Sequence, residues 1–139
     1  MAMPKPKSVY VAASYEQRED VQSFYKRLKE HGHTITADWT THKEIAALPT
    51  EQEQEELSRR YVIEDTNGVA SAQIFILLLG ERKSTGAHIE LGIALGSKNV
   101  QQILLVASHL DSQLFYRHPK IKQVKNTDEA ILAIESVQD

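Results

Sequence analysis

Two short, almost continuously apolar segments constrain the fold of this chain more than any other feature. They read QIFILLL at 73–79 and QQILLVA at 101–107, and a segment of helical length lies between them. Unbroken apolar runs of this length are typical of strands buried on both faces of a parallel sheet. Because parallel neighbours need a long crossover connection, we expect the intervening segment to be a helix that packs on the sheet.

The same alternation of strands and helices continues along the chain in both directions. Further strands are predicted at SVYVAAS (8–14), HTITADW (33–39) and IKQV (121–124). Further helices are predicted over 16–32, from 51 onward and over 127–137, and 40–49 is expected to be an irregular loop. Thr50 and Glu53 have the spacing of a capping box, which marks the start of the second helix.

This alternation predicts an α/β protein with a doubly wound, five-stranded parallel sheet of the flavodoxin-like or Rossmann-like type, in the order 2-1-3-4-5. We expect a flexible N-terminus at 1–7 and a single domain over 8–139. In such sheets the ligand crevice opens beyond the carboxyl ends of strands one and three, where the strand order reverses. The loops that follow those strands, 13–16 and 80–86, are therefore the expected binding loops.

Composition excludes several classes of function. The 139 residues include 16 Lys and Arg against 19 Asp and Glu, for a net charge of −3, so a nucleic acid polymer is not an expected partner. The absence of cysteine excludes disulfides and a thiolate nucleophile. The six histidines show no metal-ligand spacing, so neither a metal nor another cofactor is expected. No apolar run is long enough to span a membrane and the N-terminus has no signal-like core, so we expect a cytoplasmic protein without a membrane partner.

One carboxylate stands in an unusual position. In STGAHIELGIALG (84–96), Glu90 interrupts a run of apolar residues at helical spacing. The composition of this helix predicts that protein covers most of its surface, which would leave Glu90 little solvent. Because the helix starts at the expected crevice, a chemical role for Glu90 is favoured over a helix ion pair.

The motifs of the chain resemble those of a known family. They are VYVAAS followed by RED, the IED at 63–65, the apolar third strand, and S-x-G-x-x-x-E-L-G-x-A over 84–94. Together they resemble the nucleoside 2-deoxyribosyltransferase superfamily and, within it, the 2′-deoxynucleoside 5′-phosphate N-hydrolases. The resemblance implies a nucleoside or nucleotide N-glycosidase or 2-deoxyribosyltransferase that acts on a small-molecule substrate. It also implies a homodimer or larger homo-oligomer with sites completed across the interface.

The resemblance assigns roles to three residues. Glu90 would be the nucleophile that attacks the anomeric carbon of a (deoxy)ribose, and Tyr10 would orient its carboxylate. Asp65 would protonate the departing base, a role that requires a raised pKa. A carboxylate also suits the chemistry independently of the family, because it can both bond to and stabilise an oxocarbenium-like centre.

Further residues are candidates for substrate binding. Ser84 and Gly86 lie at a predicted helix start that favours an anion, and the matching serine of the N-hydrolases helps hold the 5′-phosphate. Ala13, where the family has glycine, and Ser14 belong to the first binding loop. Arg18 is a candidate for the family's phosphate-directed arginine. Trp39 is expected to stack on a base or ribose, and His88 is expected to project from the surface. Gln73 stands where many members of the family carry an Asp.

Alternatives to this function remain open. Hydrolysis and sugar transfer differ only in whether water or a second base reaches the intermediate. A Toll/interleukin-1-receptor-like domain that cleaves NAD or assembles signalling complexes shares the VxVxxSY pattern and a Glu six residues after Ser. A catalytically silent nucleotide-binding domain is the third possibility.

Overall fold

The computed structural model describes residues 5–111 and 113–137, which form a five-stranded sheet and four α-helices. The strands are β1 (Ser8–Ala12), β2 (Thr34–Ile35), β3 (Ile74–Leu78), β4 (Gln102–Val106) and β5 (Ile121–Val124). The helices are α1 (Arg18–Glu30), α2 (Glu51–Ser71), α3 (Thr85–Leu95) and α4 (Thr127–Glu135). No helix among these described residues is long and apolar enough to cross a membrane.

The sheet has the predicted topology. All neighbouring strands are parallel and their order is β2-β1-β3-β4-β5, so the flavodoxin-like prediction is confirmed. Every residue of β3 is buried, as expected for a central strand covered on both faces. The register pairs Tyr10 of β1 with Phe75 of β3, and their rings stack with centroids 5.9 Å apart.

The helices cover the two faces of the sheet in pairs. On one face α2 packs against α3, and both contact β1. Helices α1 and α4 are joined by an ion pair between Arg27 and Asp128 and by a 2.7 Å contact between His31 and Glu135. The carboxyl ends of β1 and β3 lead into α1 and α3, so these two helix starts border the predicted crevice.

Three segments differ from the sequence-based expectations. The second strand has only two residues, because the chain leaves the sheet after Ile35 and makes a 3-10 turn at Trp39–Thr41, capped by the Asp38 side chain. The first helix is preceded by a 3-10 turn at Tyr15–Gln17. A further 3-10 turn, Ile45–Ala47, lies within the predicted irregular loop.

The prediction that protein covers most of α3 was wrong for one face of the helix. Ile89 is 61 % exposed, and a Cβ added at Gly92 would meet no atom within 4 Å. Apolar composition indicates that a surface is covered but does not say by what, and this face of α3 has no partner among the described residues.

Side chains cap the helices that carry the site. The Thr50 hydroxyl accepts from the Glu53 N–H, as the capping box predicted. Ser84 caps α3 in the same way through the Ala87 N–H. At the other end of α3, Lys120 Nζ donates to the carbonyls of Ala94 and Ser97, which also accept from the N–H groups of Ser97 and Val100.

Candidate active site

Tyr10 and Glu90 form the centre of the site. Tyr10 lies on β1 and is fully buried, and its phenolic O–H donates a hydrogen bond to Glu90 Oε2. Glu90 reaches this position because α3 crosses the end of β1, with the carboxylate on the inner side of the helix and Ile89 on the outer side. The contact fixes one carboxylate oxygen and leaves the other available to a ligand.

Asp65 approaches from α2. Its Oδ1 is buried and has no hydrogen-bond partner among the described residues. Gly68, one turn further along α2, allows this approach, because a Cβ there would lie 2.6 Å from Ala37 Cβ and 3.2 Å from the Tyr10 ring. The absence of a side chain at Gly68 thus sets the distance between the α2 helix and the strand that carries Tyr10.

Burial controls the protonation of these groups. Desolvation is the main reason that the pKa of Glu90 is raised to about 7. The hydrogen bond from Tyr10 lowers this pKa, and the charge of Asp65 raises it. Desolvation also raises the pKa of Asp65, and the neighbouring His42 opposes that rise. Burial and the charge of Glu90 raise the pKa of Tyr10 far above its ordinary value, so its phenol remains a donor. Both carboxyl groups of the site are therefore harder to ionise than the same groups in water.

An open crevice of about 400 Å³ lies over Glu90. This volume is within the range typical of small-molecule sites. Its lining includes six of the nine predicted site residues, and a seventh, Tyr10, contacts the lining through Glu90. The six are Ala13, Trp39, Asp65, Ser84, Gly86 and Glu90.

Ser14 and Arg18 are not part of this lining. The Ser14 hydroxyl is held by Gln17 Oε1 at 2.9 Å, and the Arg18 guanidinium lies 4.5 Å from the centre of the Tyr15 ring. Arg18 also donates to the Tyr15 carbonyl at 3.2 Å. Both side chains therefore contact their own loop, and their contact with a ligand stays a prediction.

The start of α3 forms one wall of the crevice. Ser84 caps the helix through the Ala87 N–H, and Ser84, Gly86 and Ala87 line the crevice at the end where the helix dipole favours negative charge. Outside the neighbouring backbone, the nearest atom to a Cβ built on Gly86 would be Ser84 Oγ at 3.9 Å. The wall can therefore accept an anion near the backbone of α3.

Trp39 closes the opposite wall. Its indole N–H donates to the Val11 carbonyl at 2.7 Å and its side chain is almost fully buried. The indole is thereby fixed against β1, with one part of its ring surface in the crevice lining. This anchor gives Trp39 a packing role, and stacking on a ligand stays a prediction.

His42 and Tyr61 were not among the sequence-based candidates. His42 Nε2 lies 3.8 Å from Asp65 Oδ1, and its ring stacks on that of Tyr61 with centroids 3.7 Å apart. Tyr61 lines the crevice and its hydroxyl accepts from the Lys43 N–H. Because His42 lies in a segment without a periodic pattern, the residues around it did not predict its position beside Asp65.

Gln17 was also missed. Its side chain accepts from the N–H and hydroxyl of Ser14, and it lies so close to Gly80 that a Cβ there would be 2.9 Å from Gln17 Cδ. Gln17 thus joins the two predicted binding loops behind the crevice. A glycine in the second loop was the available signal, since such a position often marks a close approach.

The surface prediction for His88 was wrong. Its Nδ1 lies 2.8 Å from the Ser84 carbonyl and its Nε2 2.6 Å from the Tyr116 hydroxyl. His88 therefore connects the start of α3 to the segment between β4 and β5.

Gln73, which stands where many members of the family carry an Asp, lies far from the crevice. It bonds to Ser8 at the amino end of β3, the opposite end from the crevice.

Within residues 5–111 and 113–137, no cluster of three or more His, Asp or Glu side chains could hold a metal ion. The carboxyl groups of Asp65 and Glu90 and the phenol groups of Tyr15 and Tyr61 line the crevice.

No protein-family model and no curated protein matches the chain. Solved structures match over nearly its whole length. A 2-deoxyribosyltransferase from Bacillus psychrosaccharolyticus superposes with a TM-score of 0.63 at 15 % identity, over 94 % of this chain and 92 % of the enzyme. A CMP N-glycosidase from Clostridium botulinum gives 0.55 at 18 % identity, over 93 % and 99 % of the two chains. This chain has their fold.

At these identities the likeness establishes the architecture of the chain. It confirms, at the level of the fold, the resemblance that the sequence motifs indicated. The roles of individual residues depend on the geometry of the crevice.

Proposed function

We propose that the protein cleaves the N-glycosidic bond of a (2′-deoxy)nucleoside or its 5′-monophosphate by way of a glycosyl-enzyme on Glu90. The observation that carries the proposal is the Tyr10–Glu90 hydrogen bond in a crevice whose other wall holds Asp65. A buried phenol that donates to one oxygen of a carboxylate orients that group, and a second carboxyl with a raised pKa suits an acid. The shared fold with a deoxyribosyltransferase and an N-glycosidase supports the same reaction class.

The reaction has two balanced steps. Glu90 bonds to the anomeric carbon as the carbon–nitrogen bond breaks, and Asp65 gives its proton to the departing base. Water then attacks the same carbon and gives a proton to Asp65, and the ester bond to Glu90 breaks. If a second base replaces water, the product is a new nucleoside and the reaction is a transfer.

The wall formed by α3 favours a 5′-monophosphate as the substrate. An anion beside Ser84 and Gly86 would accept charge-assisted hydrogen bonds from N–H groups at the positive end of the helix dipole. Water as the acceptor, and hence hydrolysis, is the version of the reaction that we favour.

The proposal can be tested by incubating the protein with pooled nucleosides, nucleoside monophosphates and NAD and identifying the free base released. We expect base release from a nucleoside or nucleotide. Glu90→Gln, which cannot form a stable glycosyl ester, should lower the rate by at least about 10³-fold. The matched control is Glu30→Gln, which changes an exposed glutamate on α1.

Three results would contradict the proposal. Equal rates for the parent and Glu90→Gln would remove Glu90 from the mechanism. Release of nicotinamide alone would favour the Toll/interleukin-1-receptor-like alternative, and release of no base at all would favour the silent nucleotide-binding domain.

We also propose that the protein acts as a homodimer in the cytoplasm. Large apolar side chains are exposed on the two helices that border the crevice, namely Val62 (59 %) and Ile63 (54 %) on α2 and Ile89 (61 %) on α3. Val62 and Ile89 also line the crevice, so a second copy seated on this patch would cover the site as well as the patch. The family resemblance implies the same arrangement.

Analytical ultracentrifugation tests this assembly. We expect the parent to sediment as a dimer at micromolar concentration and Ile63→Asp, which places a charge in the patch without changing the crevice lining, to sediment as a monomer. A parent protein that stays monomeric would refute it.

A further inference from the structure

His42 occupies a position between solvent and the buried carboxyl of Asp65. Its side chain is 17 % exposed, and its Nε2 lies 3.8 Å from Asp65 Oδ1. That oxygen is itself buried and makes no hydrogen bond to any described residue. An unsatisfied buried carboxyl oxygen is costly, so a partner that reaches it in the working state has a physical reason to be there.

The ring of His42 is held rigidly. It lies parallel to the Tyr61 ring, with 1° between the planes and 3.7 Å between the centroids. The Tyr61 hydroxyl accepts from the backbone N–H of Lys43, the residue after His42, at 2.8 Å. One side chain of α2 thus fixes both the ring and the backbone of the segment that carries His42.

The proposed function gives Asp65 a task that needs a proton source. Asp65 must be protonated when the base departs, while Glu90 must be ionised to attack. An aspartate in water is almost entirely ionised at neutral pH, whereas an imidazole changes charge between about pH 5 and 8. An imidazole beside the acid is a side chain that can supply a proton and take it back near neutral pH.

We propose that His42 carries protons to and from Asp65 during the reaction, an inference that rests on the proposed function. The imidazolium gives its Nε2 proton to Asp65 as Asp65 gives its own to the leaving base, so His42 becomes neutral while Asp65 stays protonated. In the second step the attacking water gives its proton to Asp65 as Asp65 gives its own to His42 Nε2, which restores the imidazolium. The gap of 3.8 Å closes as the substrate binds, since hydrogen bonds of catalytic groups are often long in the free enzyme.

The charges around His42 suit this exchange. From α2 the groups that face it are Tyr61, Glu64 and Asp65, with Glu64 Oε2 at 3.9 Å from Nε2. On its own segment its neighbours are Lys43 and Glu44. Two carboxylates of α2 therefore lie near Nε2, and Asp65 is the one whose oxygen is buried at the crevice.

The decisive experiment compares leaving groups. Parent, His42→Phe and Asp65→Asn are assayed on two substrates that share the sugar and 5′ group, one with a purine base and one with a 4-nitrophenolate that needs no proton. Phenylalanine keeps the stack on Tyr61 and removes the proton. We expect His42→Phe to lower kcat for the purine substrate on the order of 10²-fold and to change the nitrophenolate rate by less than about threefold, as general acid catalysis predicts.

Two further variants keep this test clear. His42→Gln offers a second uncharged replacement if His42→Phe folds poorly, and the same selective loss is expected from it. His109→Gln, an exposed histidine on the segment after β4, is the matched control and should leave both rates unchanged. An equal loss on both substrates, or no loss on either, would overturn the proposal, because a structural role does not distinguish leaving groups.

A measurement without substrate separates this proposal from the proposed function. The Asp65 carboxyl carbon is followed by NMR as the pH is changed, in the parent and in His42→Phe. Because His42 lowers the pKa of Asp65, its removal should move the Asp65 titration to higher pH. An unmoved titration overturns the contact between His42 and Asp65, whereas a parent that releases no base overturns the proposed function and leaves this readout intact.

Discussion

At Glu90 the protein places a carboxyl group where its charged form is disfavoured. The pKa of about 7 means that the folded protein binds a proton at Glu90 between about pH 4.5 and 7, where the unfolded chain has already released it. Stability from this group is therefore present below pH 4.5 and is lost as the pH rises through 7. The cost of the ionised form is at most about 3 kcal/mol.

Glu90→Gln should therefore stabilise the protein at high pH. We expect the variant to have a free energy of unfolding about 1–3 kcal/mol higher than the parent at pH 8, and nearly the same value at pH 4.5. Urea unfolding at both pH values measures this difference, with Glu30→Gln as the control. A gain that does not depend on pH would mean that the charge of Glu90 is not its source.

At the level of the elements, Ser84 combines two functions at the start of α3. Its hydroxyl caps the helix, and its position in the crevice makes it the candidate phosphate contact. Ser84→Ala should lose both, whereas Ser84→Asp keeps a good N-cap and places a negative charge where the phosphate would lie.

The comparison of these two variants separates the roles. Parent protein should use a monophosphate roughly tenfold to a hundredfold better than its nucleoside, as kcat/KM. Ser84→Asp should reverse that preference without a loss of stability, and Ser84→Ala should weaken it and cost about 1 kcal/mol of unfolding free energy. A parent that prefers the nucleoside would direct the proposal toward a nucleoside deoxyribosyltransferase.

Gly68 sets the approach of α2 to the sheet. A methyl group there would overlap Ala37 and press on the Tyr10 ring, so Gly68→Ala should cost about 1–3 kcal/mol and displace Asp65. Gly92→Ala is the matched control on α3, where the added Cβ meets no atom within 4 Å. Because alanine favours helices, it should raise stability by up to about 1 kcal/mol. Thermal unfolding should show a loss of stability for Gly68→Ala and a gain for Gly92→Ala. Equal effects of the two substitutions would contradict the close approach at Gly68.

At the level of the whole molecule, the sequence was sufficient for the strand order and for the position of Glu90 at the crevice. Both depend on patterns that repeat along the chain, such as the apolar runs of β3 and β4. The length of β2 was overestimated because Thr36 and Trp39, both residue types common in strands, follow Ile35, while the Asp38 cap turns the chain away from the sheet.

The side-chain contacts of the site were harder to predict from the sequence. The stack of His42 on Tyr61 and the contact of Gln17 with Gly80 join segments distant in sequence or depend on one loop conformation. Neither leaves a periodic signal. The exposed face of α3 was misjudged for a related reason, since Ile89 has the same sequence pattern whether a neighbouring helix or a second chain covers it.

The shallow burial of α2 has a consequence for motion. Only three of its 21 residues, Leu57, Gly68 and Val69, are buried, although this helix carries Asp65. Helices held by few apolar contacts open locally at a fraction of the global unfolding energy. The amides of α2 should therefore exchange together, and well before those of β3, in a hydrogen-exchange experiment. A bound nucleotide or a second subunit should slow the exchange of α2. If the amides of α2 proved as protected as those of β3 in the free protein, the helix that carries Asp65 would be rigid. Entry of a substrate into the crevice would then depend on motion of the loops alone.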